Sequence, residues 1–431
     1  MSKNWCLVLT ILFSVVGVAQ EKWTLEYCVE KGKENSLKLM VAALETQVVE
    51  RQKQSVVSYY LPNIGVNGNQ GYNFGSAIDP TTNSRVSSNI ASTQLSLDAN
   101  VELFNWSNIV KYQQESLALN MSELSEQEVL FHYQSSLLLR FYEIVGLQEY
   151  LKIQVEQLKN SETNYKRVLK EVDAGAKPNS DLYDIEYIYN SEQIAIERTQ
   201  NNLYNQKLQF LHFLNMSDSQ VELFELVNNT ESIGLFTDYL FNPRLEKQRL
   251  NSLFLQKEKQ LISSQSLPKL SVSYQYGSFY SKPFNTALDA QVNAFSKQLG
   301  DNKSHYVGIR LSIPVFTGGV VIRQVRTKNT EIALNDLKIK EIELELNNEN
   351  TQLEHEIQQL KTLEKNLIKS IEMSEKSFTT TQVKYENGKV DIFSFNSAKN
   401  QLLTSQYALV KNNLDRQFLE KRLALNNSNK L

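Results

Sequence analysis

The stretch LSIPVFTGG, residues 311–319, decides how the chain is read. Its first half alternates apolar and polar side chains as a strand with one wet face does. About seventy residues follow without a glycine, rich in charge, and they carry a helical period. A strand that runs straight into so long a helix is unusual for a compact domain and sends the reading outward to the rest of the chain.

The same junction occurs twice. Val101-Glu102-Leu103-Phe104 echoes Ile313-Pro314-Val315-Phe316, and Leu61-Pro62-Asn63-Ile64 echoes Leu267-Pro268-Lys269-Leu270. Gly175 and Gly388 stand 213 residues apart, each ten positions after an aromatic residue, Tyr165 and Phe378. The chain is therefore an internal duplication, which governs every later assignment.

Four segments alternate with period two. Ile64, Val66, Gly68, Gln70, Tyr72 and Phe74 oppose Asn63, Gly65, Asn67, Asn69, Gly71 and Asn73. Leu95, Leu97, Ala99, Val101 and Leu103 oppose Gln94, Ser96, Asp98, Asn100 and Glu102. Leu270, Val272, Tyr274 and Tyr276 oppose Ser271, Ser273, Gln275 and Gly277. Val307, Ile309, Leu311, Ile313 and Val315 oppose Gly308, Arg310, Ser312 and Pro314. One face is apolar and the other wet. An ordinary antiparallel sheet on a core gives the same alternation. The length of the runs, and the aromatic residues near their ends, suit a bilayer-crossing strand around a water-filled lumen. Four strands are too few to close a barrel, so the remainder must come from other copies.

Beyond Phe104 and Phe316 the period changes. Leu137, Phe141, Ile144, Gln148, Leu151, Val155, Leu158, Glu162 and Tyr165 step by four and three, as do Leu353, Ile357, Leu360, Glu364, Leu367, Ile371, Ser374 and Phe378. This is a coiled-coil seam that admits polar residues. Helices are predicted at 106–173 and 319–387, each ~100 Å long at the helical rise, with return helices at 181–215 and 391–427. Further helices are predicted at 24–58 and 242–266.

Bulk composition restricts the function. The 431 residues are 41% hydrophobic and 22% charged, as in folded proteins, and the net charge of −3 gives no basic excess for nucleic acid. Only 15 glycines and 7 prolines occur, which implies few turns and long elements. His132, His212, His305 and His355 lie far apart, with no HExxH or CxxC pairing, so the sequence offers no metal site and no cofactor motif. No constellation of nucleophile, base and metal marks an enzyme. The glycine series Gly65, Gly68, Gly71 and Gly75 precedes no helix and fits a barrel lumen better than a phosphate loop.

An apolar run at residues 7–16, ending in Gly17-Val18-Ala19, is predicted to be an export signal cleaved after Ala19. Cleavage removes Cys6 and leaves Cys28 alone, expected to pack as a small apolar residue.

With the duplicated strands, LSIPVFTGG, the Leu-Pro strand starts, Trp23-Thr24-Leu25-Glu26 and the paired helical hairpins, the chain resembles the TolC-type outer-membrane efflux protein family over nearly its whole mature length. The resemblance implies an α+β membrane protein. Its duplicated long α-helical hairpins would form a periplasmic α-barrel, and each protomer of a homotrimer would give four antiparallel strands to one outer-membrane β-barrel in a Gram-negative bacterium. It further implies a passive exit duct of a tripartite efflux or type I secretion system. The partners would be a periplasmic adaptor, an inner-membrane RND or ABC-type pump and outer-membrane lipid, with no cofactor. The competing reading is a trimeric coiled-coil tether between envelope layers that conducts nothing.

The expected organisation is a signal peptide at 1–19, a first repeat at 20–215 with strands at about 62–74 and 92–104, an equatorial linker at 216–240, and a second repeat at 241–431 with strands at about 268–280 and 305–316. In the family, carboxylates just beyond the hairpin turns narrow the periplasmic entrance. Asp181 and Asp184 stand six and nine residues after Gly175, whereas Ser394 and Ser397 occupy those places after Gly388, so the acidic ring falls to the first hairpin with Asp391 as a further contributor. Asn179 and Ser180 offer caps for the return helix, which is the bland account of acids placed there. Gly175-Ala176-Lys177 and Gly388-Lys389-Val390 would face the adaptor, although a glycine at a helix end needs no such reason. Phe104, Pro314, Phe316, Gly318 and Gly319 mark the passage from strand to helix. The connections at residues 75–90 and 281–304 are expected outside the cell.

Overall fold

A computed structural model describes residues 21–78, 83, 85–87, 89–228, 241–283 and 293–428. The signal segment at 1–19, residues 229–240 of the expected linker, and parts of the two strand connections (79–82, 84, 88 and 284–292) lie outside the described residues.

In chain order the elements are β1 (Glu21–Trp23), α1 (Leu25–Asn35), α2 (Leu37–Gln52), β2 (Asn63–Asn73), β3 (Ser76–Ile78), β4 (Arg85–Ser87), β5 (Ile90–Asn105), α3 (Trp106–Asp173), α4 (Asn179–Phe213), β6 (Phe224–Leu226), α5 (Pro243–Ser264), β7 (Lys269–Pro283), α6 (Phe295–Asp301), β8 (Ser304–Ser312), α7 (Val320–Glu386) and α8 (Ile392–Ser428). They fall into two compact units. One comprises Met1–Ala43, Ser125–Glu246 and Ile342–Leu431, and the other Leu44–Leu124 and Lys247–Glu341. The chain passes between them within α2, α3, α5 and α7.

The second unit holds a four-stranded antiparallel sheet in the order β2-β5-β7-β8. Register converts the sequence alternation into two faces. Ile64, Ala99, Tyr274 and Val307 share one row across the sheet, and Gly65, Asp98, Gln275 and Tyr306 share the next. The first row lies on the apolar face and the second on the wet face. The apolar face is not covered: Val66 is 79% exposed and Ile309 75%.

The two strand-to-helix junctions differ in detail. In the first half β5 runs into α3 with no loop. A register shift between Glu102 and Phe104 makes a bulge, and the buried Asn105 accepts the Ser107 amide at 3.1 Å, so one side chain closes the strand and caps the helix. In the second half the alternation of residues 307–315 outlasts the strand, which ends at Ser312 opposite Lys269. Residues 313–316 leave the sheet, in keeping with a proline that has no amide to give to a ladder. Gly318 and Gly319 then take φ of 63° and 74°, and α7 begins. Of LSIPVFTGG only Leu311 and Ser312 are strand; the rest leads out of the sheet, with the two glycines supplying a left-handed turn that other residues adopt only under strain.

The first unit is helical. Its main core joins Trp23, Cys28, Leu137, Phe141, Ile144, Phe210, Leu214, Phe224 and Leu226. The expected N-terminal helix at 24–58 is broken at Ser36, which is 2% exposed, and a 3-10 turn follows at Val56–Tyr60. Asn-Ser is a poor helix interior and a good cap, and Tyr133 lies so close to Gly32 that a Cβ there would meet its hydroxyl at 2.5 Å. The residues from 216 onward are also more than a linker. Phe224–Leu226 forms β6, which pairs in parallel with β1, stacks Phe224 on Trp23 at 4.3 Å between ring centroids, and receives a 2.6 Å hydrogen bond at the Phe224 carbonyl from the buried Lys207 ammonium. Cys28 is wholly buried among these residues, as expected, and burial pushes its thiol pKa up.

Along α3 the apolar seam holds only as far as Gln148. Below it the buried residues are Gln154, Gln157, Ser161, Asn164 and Val168, while Val155 is 38% exposed. The sequence pattern selected apolar side chains and missed that this stretch buries a polar stripe. On α7 the predicted seam is kept, with Leu353, Ile357, Ser374 and Phe378 all buried.

Candidate functional site: the hairpin tips and the wet sheet face

Both long helices end alike. Gly175 has φ of 72°, its amide donates to the Val172 carbonyl at 2.8 Å, and the Ala176 amide donates to the Glu171 carbonyl at 2.7 Å. Gly388 has φ of 67°, with Gly388 donating to Tyr385 at 3.0 Å and Lys389 to Lys384 at 2.8 Å. These are two copies of one Schellman ending, and they account for the glycines without reference to any partner.

The return helices are capped differently. Pro178 is the N-cap of α4, Asn179 and Ser180 lie inside the helix, and no side chain caps it, so the expected caps are displaced by the proline. Asp391 caps α8: its Oδ1 accepts the Ser394 amide at 2.7 Å, and hydrogen bonds from the Ser394 side chain and amide hold the carboxyl below its usual range. Ser394 and Ser397 are exposed, and Asp181 and Asp184 are half-buried.

Tyr385, which sequence reasoning did not single out, organises the tip. It is 4% exposed and stacks on Phe395 at 5.0 Å within a core that also holds Val168, Ile185, Ile188, Phe378 and Ile392. The Arg167 guanidinium lies 5.1 Å from its ring centroid and the Lys177 ammonium 4.9 Å, and each pairs with Glu171 at 3.3 Å. Two cations of the first hairpin thus hold one aromatic ring of the second. Burial pushes the Tyr385 hydroxyl up to about 12; Arg167 works against this, and Asp181, Glu171 and Asp184 add to it. Lys177 is engaged, with its side chain only 19% exposed, whereas Lys389 is exposed. The signal for Tyr385 was present, since it follows Phe378 by seven residues on the seam.

On the wet face of the sheet Asp98 accepts three hydrogen bonds, from Asn67 at 2.7 Å, Ser96 at 2.7 Å and Gln275 at 2.6 Å. The carboxylate draws three strands together and leaves a wall of carboxamides and hydroxyls. On the other face Tyr274 and His305 are 2.8 Å apart through hydroxyl and Nδ1. Among the described residues no helix is long and apolar enough to cross a membrane, which has no bearing on strands, and no group of three or more metal-ligating side chains occurs.

Paired long hairpins joined to a four-stranded sheet with one apolar and one wet face are the fold of outer-membrane channels, as the resemblance noted from the sequence implies. The outer-membrane protein VceC from Vibrio cholerae matches with a TM-score of 0.76 at 14% identity, covering 93% of this chain and 94% of that one. The outer-membrane channel OprN matches at 0.75 and 15% identity over 93% and 89% of the two chains. The Campylobacter jejuni CmeC outer-membrane channel matches at 0.74 and 14% identity over 93% and 84%. No family model matches the sequence, and no curated protein does. The likeness is one of fold.

Proposed function

We propose that the protein is the outer-membrane exit duct of a tripartite efflux or type I secretion system. Three copies would join their sheets into one barrel, and their hairpins would extend it through the periplasm toward an adaptor and an inner-membrane RND or ABC-type pump. The observation that carries this reading is the sheet. It has an uncovered apolar face, a hydrogen-bonded polar face, and two edge strands, β2 and β8, that pair on one side only. Such a sheet is a liability in water and is at rest when copies close it within lipid. The fold shared with outer-membrane channels supports the same conclusion. A tether needs no polar face, and a wall of amides around Asp98 suits a water-filled lumen.

In this reading the chain does no chemistry. The tip, where Arg167 and Lys177 hold Tyr385 beside Asp181 and Asp184, narrows the entrance, and the exposed Lys389 turn meets the adaptor. The test is directional. Ile309→Arg, on the apolar face, should weaken insertion into lipid vesicles by about 2–4 kcal/mol if it reaches the bilayer midplane, while Asn69→Arg on the wet face should leave insertion unchanged. Equal tolerance of both substitutions would contradict the assignment of faces.

A further inference from the structure

Lys399 interrupts an apolar stripe on α8. Ile392, Phe395 and Leu402 continue the spacing of three and four residues and pack with Val168, Ile185, Ile188, Phe378 and Tyr385. Lys399 stands within that spacing and is only 1% exposed. A lysine is almost never fully buried unless it is paired. Its ammonium forms an ion pair with Glu192 on α4 and donates a hydrogen bond to Ser161 Oγ on α3. One group of the second hairpin is thereby bound to both helices of the first. Burial lowers the lysine pKa, and Glu192 opposes that shift. Glu192 Oε2 is itself buried without a hydrogen-bond partner, and among the described residues Glu192 forms its ion pair with Lys399 alone, so removing the ammonium leaves the carboxylate unpaired there.

The surroundings are polar as well. Ser161 belongs to the buried stripe Gln154, Gln157, Ser161 and Asn164 on α3, and Gln157 donates to Gln406 of α8 at 3.3 Å. Apolar side chains tolerate a shift in register, because a neighbouring apolar position replaces the lost contact. An ion pair with a buried ammonium does not, because a shift leaves that charge unpaired where water does not reach it, although Glu192 itself is partly exposed. A single polar residue at such a seam position fixes register at a cost in stability. Lys399 lies seven residues into α8, about 10 Å along its axis.

We propose that Lys399, acting through Glu192 and Ser161, is the positioning residue of the tip. It fixes the register between the two hairpins that places Tyr385 between Arg167 and Lys177, and so holds the entrance closed. This rests on the exit-duct reading for its functional consequence and on the helix contacts alone for its structural one.

The test uses the full chain with Lys399→Met, Glu192→Gln, the double substitution and Ser161→Ala. Two readouts are taken: open probability in planar lipid bilayers, and the mobility of a spin label at Lys389→Cys, with Cys28 unlabelled because it is wholly buried. Lys399→Met should raise open probability about tenfold and loosen the label at residue 389, while a label at the exposed Lys411, on the far side of the pin, stays as in the wild type. The double variant should open no more than Lys399→Met, because both substitutions remove one interaction. Wild-type gating and label mobility in a folded Lys399→Met protein would overturn the proposal. If that variant fails to assemble, Ser161→Ala, which keeps the ion pair, decides by the same two readouts. A wild-type protein that inserts but never conducts rejects the exit-duct reading, and the label at residue 389 then still accepts or rejects the register role on its own.

Discussion

An ordinary tyrosine ionises near 10, and the Tyr385 hydroxyl is pushed up to about 12, chiefly by burial. The folded state therefore keeps a proton that the unfolded chain gives up. The contribution of Tyr385 to stability is fully present below about pH 10 and is lost as pH rises through 12. The melting temperature should fall across that window, and Tyr385→Phe, which cannot ionise, should fall by less; equal slopes would show that the hydroxyl does not sense its surroundings. Asp391 follows the opposite sign. Its carboxyl is held low by Ser394, so the contribution of the cap is fully present above the usual carboxylate range and is lost as pH falls below that range, through the depressed pKa of the folded state. At this scale the sequence was a partial guide. It marked Asp181, Asp184 and Asp391 by their distance from glycines, but not that Asp391 is committed to a cap or that Lys177 is drawn onto Tyr385. Those depend on which helix faces which, and spacing along one chain does not contain that.

At the scale of elements the duplication was legible because it rests on backbone requirements. Gly175 and Gly388 sit at positive φ in identical helix endings, and open space surrounds the Cβ each lacks, so only backbone strain opposes a side chain. Gly388→Ala should cost about 1–2 kcal/mol, the left-handed penalty for an L-residue, measured as a loss in thermal or denaturant stability. No loss would mean that the turn relaxes. The bounds of α3 were also readable, since a long run with a constant period and only Gly146 to interrupt it has few places to stop. Two other elements were not. The alternation of residues 307–315 passes Ser312 because period two persists in sequence after the partner strand has run out. The lower seam of α3 was misread because burial there follows Gln154, Gln157 and Ser161, polar side chains of which Gln157 and Ser161 meet Gln406 and Lys399, partners that lie far away in sequence. The break at Ser36 shows the same limit, since the contact of Tyr133 on Gly32 spans about a hundred residues.

For the whole molecule, the fold could be inferred from the sequence because two periods, two and seven, alternate twice along the chain. The proposed assembly rests on counting, since four strands with two open edges are too few to close a barrel without other copies. The central claim is that these copies enclose a conducting lumen whose entrance lies at the hairpin tips. Its most direct test is single-channel recording in planar lipid bilayers, comparing the wild-type protein with the Asp181→Ala, Asp184→Ala double variant. Discrete ohmic steps are expected, larger or less cation-preferring in the variant because removing carboxylates from a narrow entrance removes their attraction for cations. Folded, inserted oligomers of both proteins that pass no current would contradict the account.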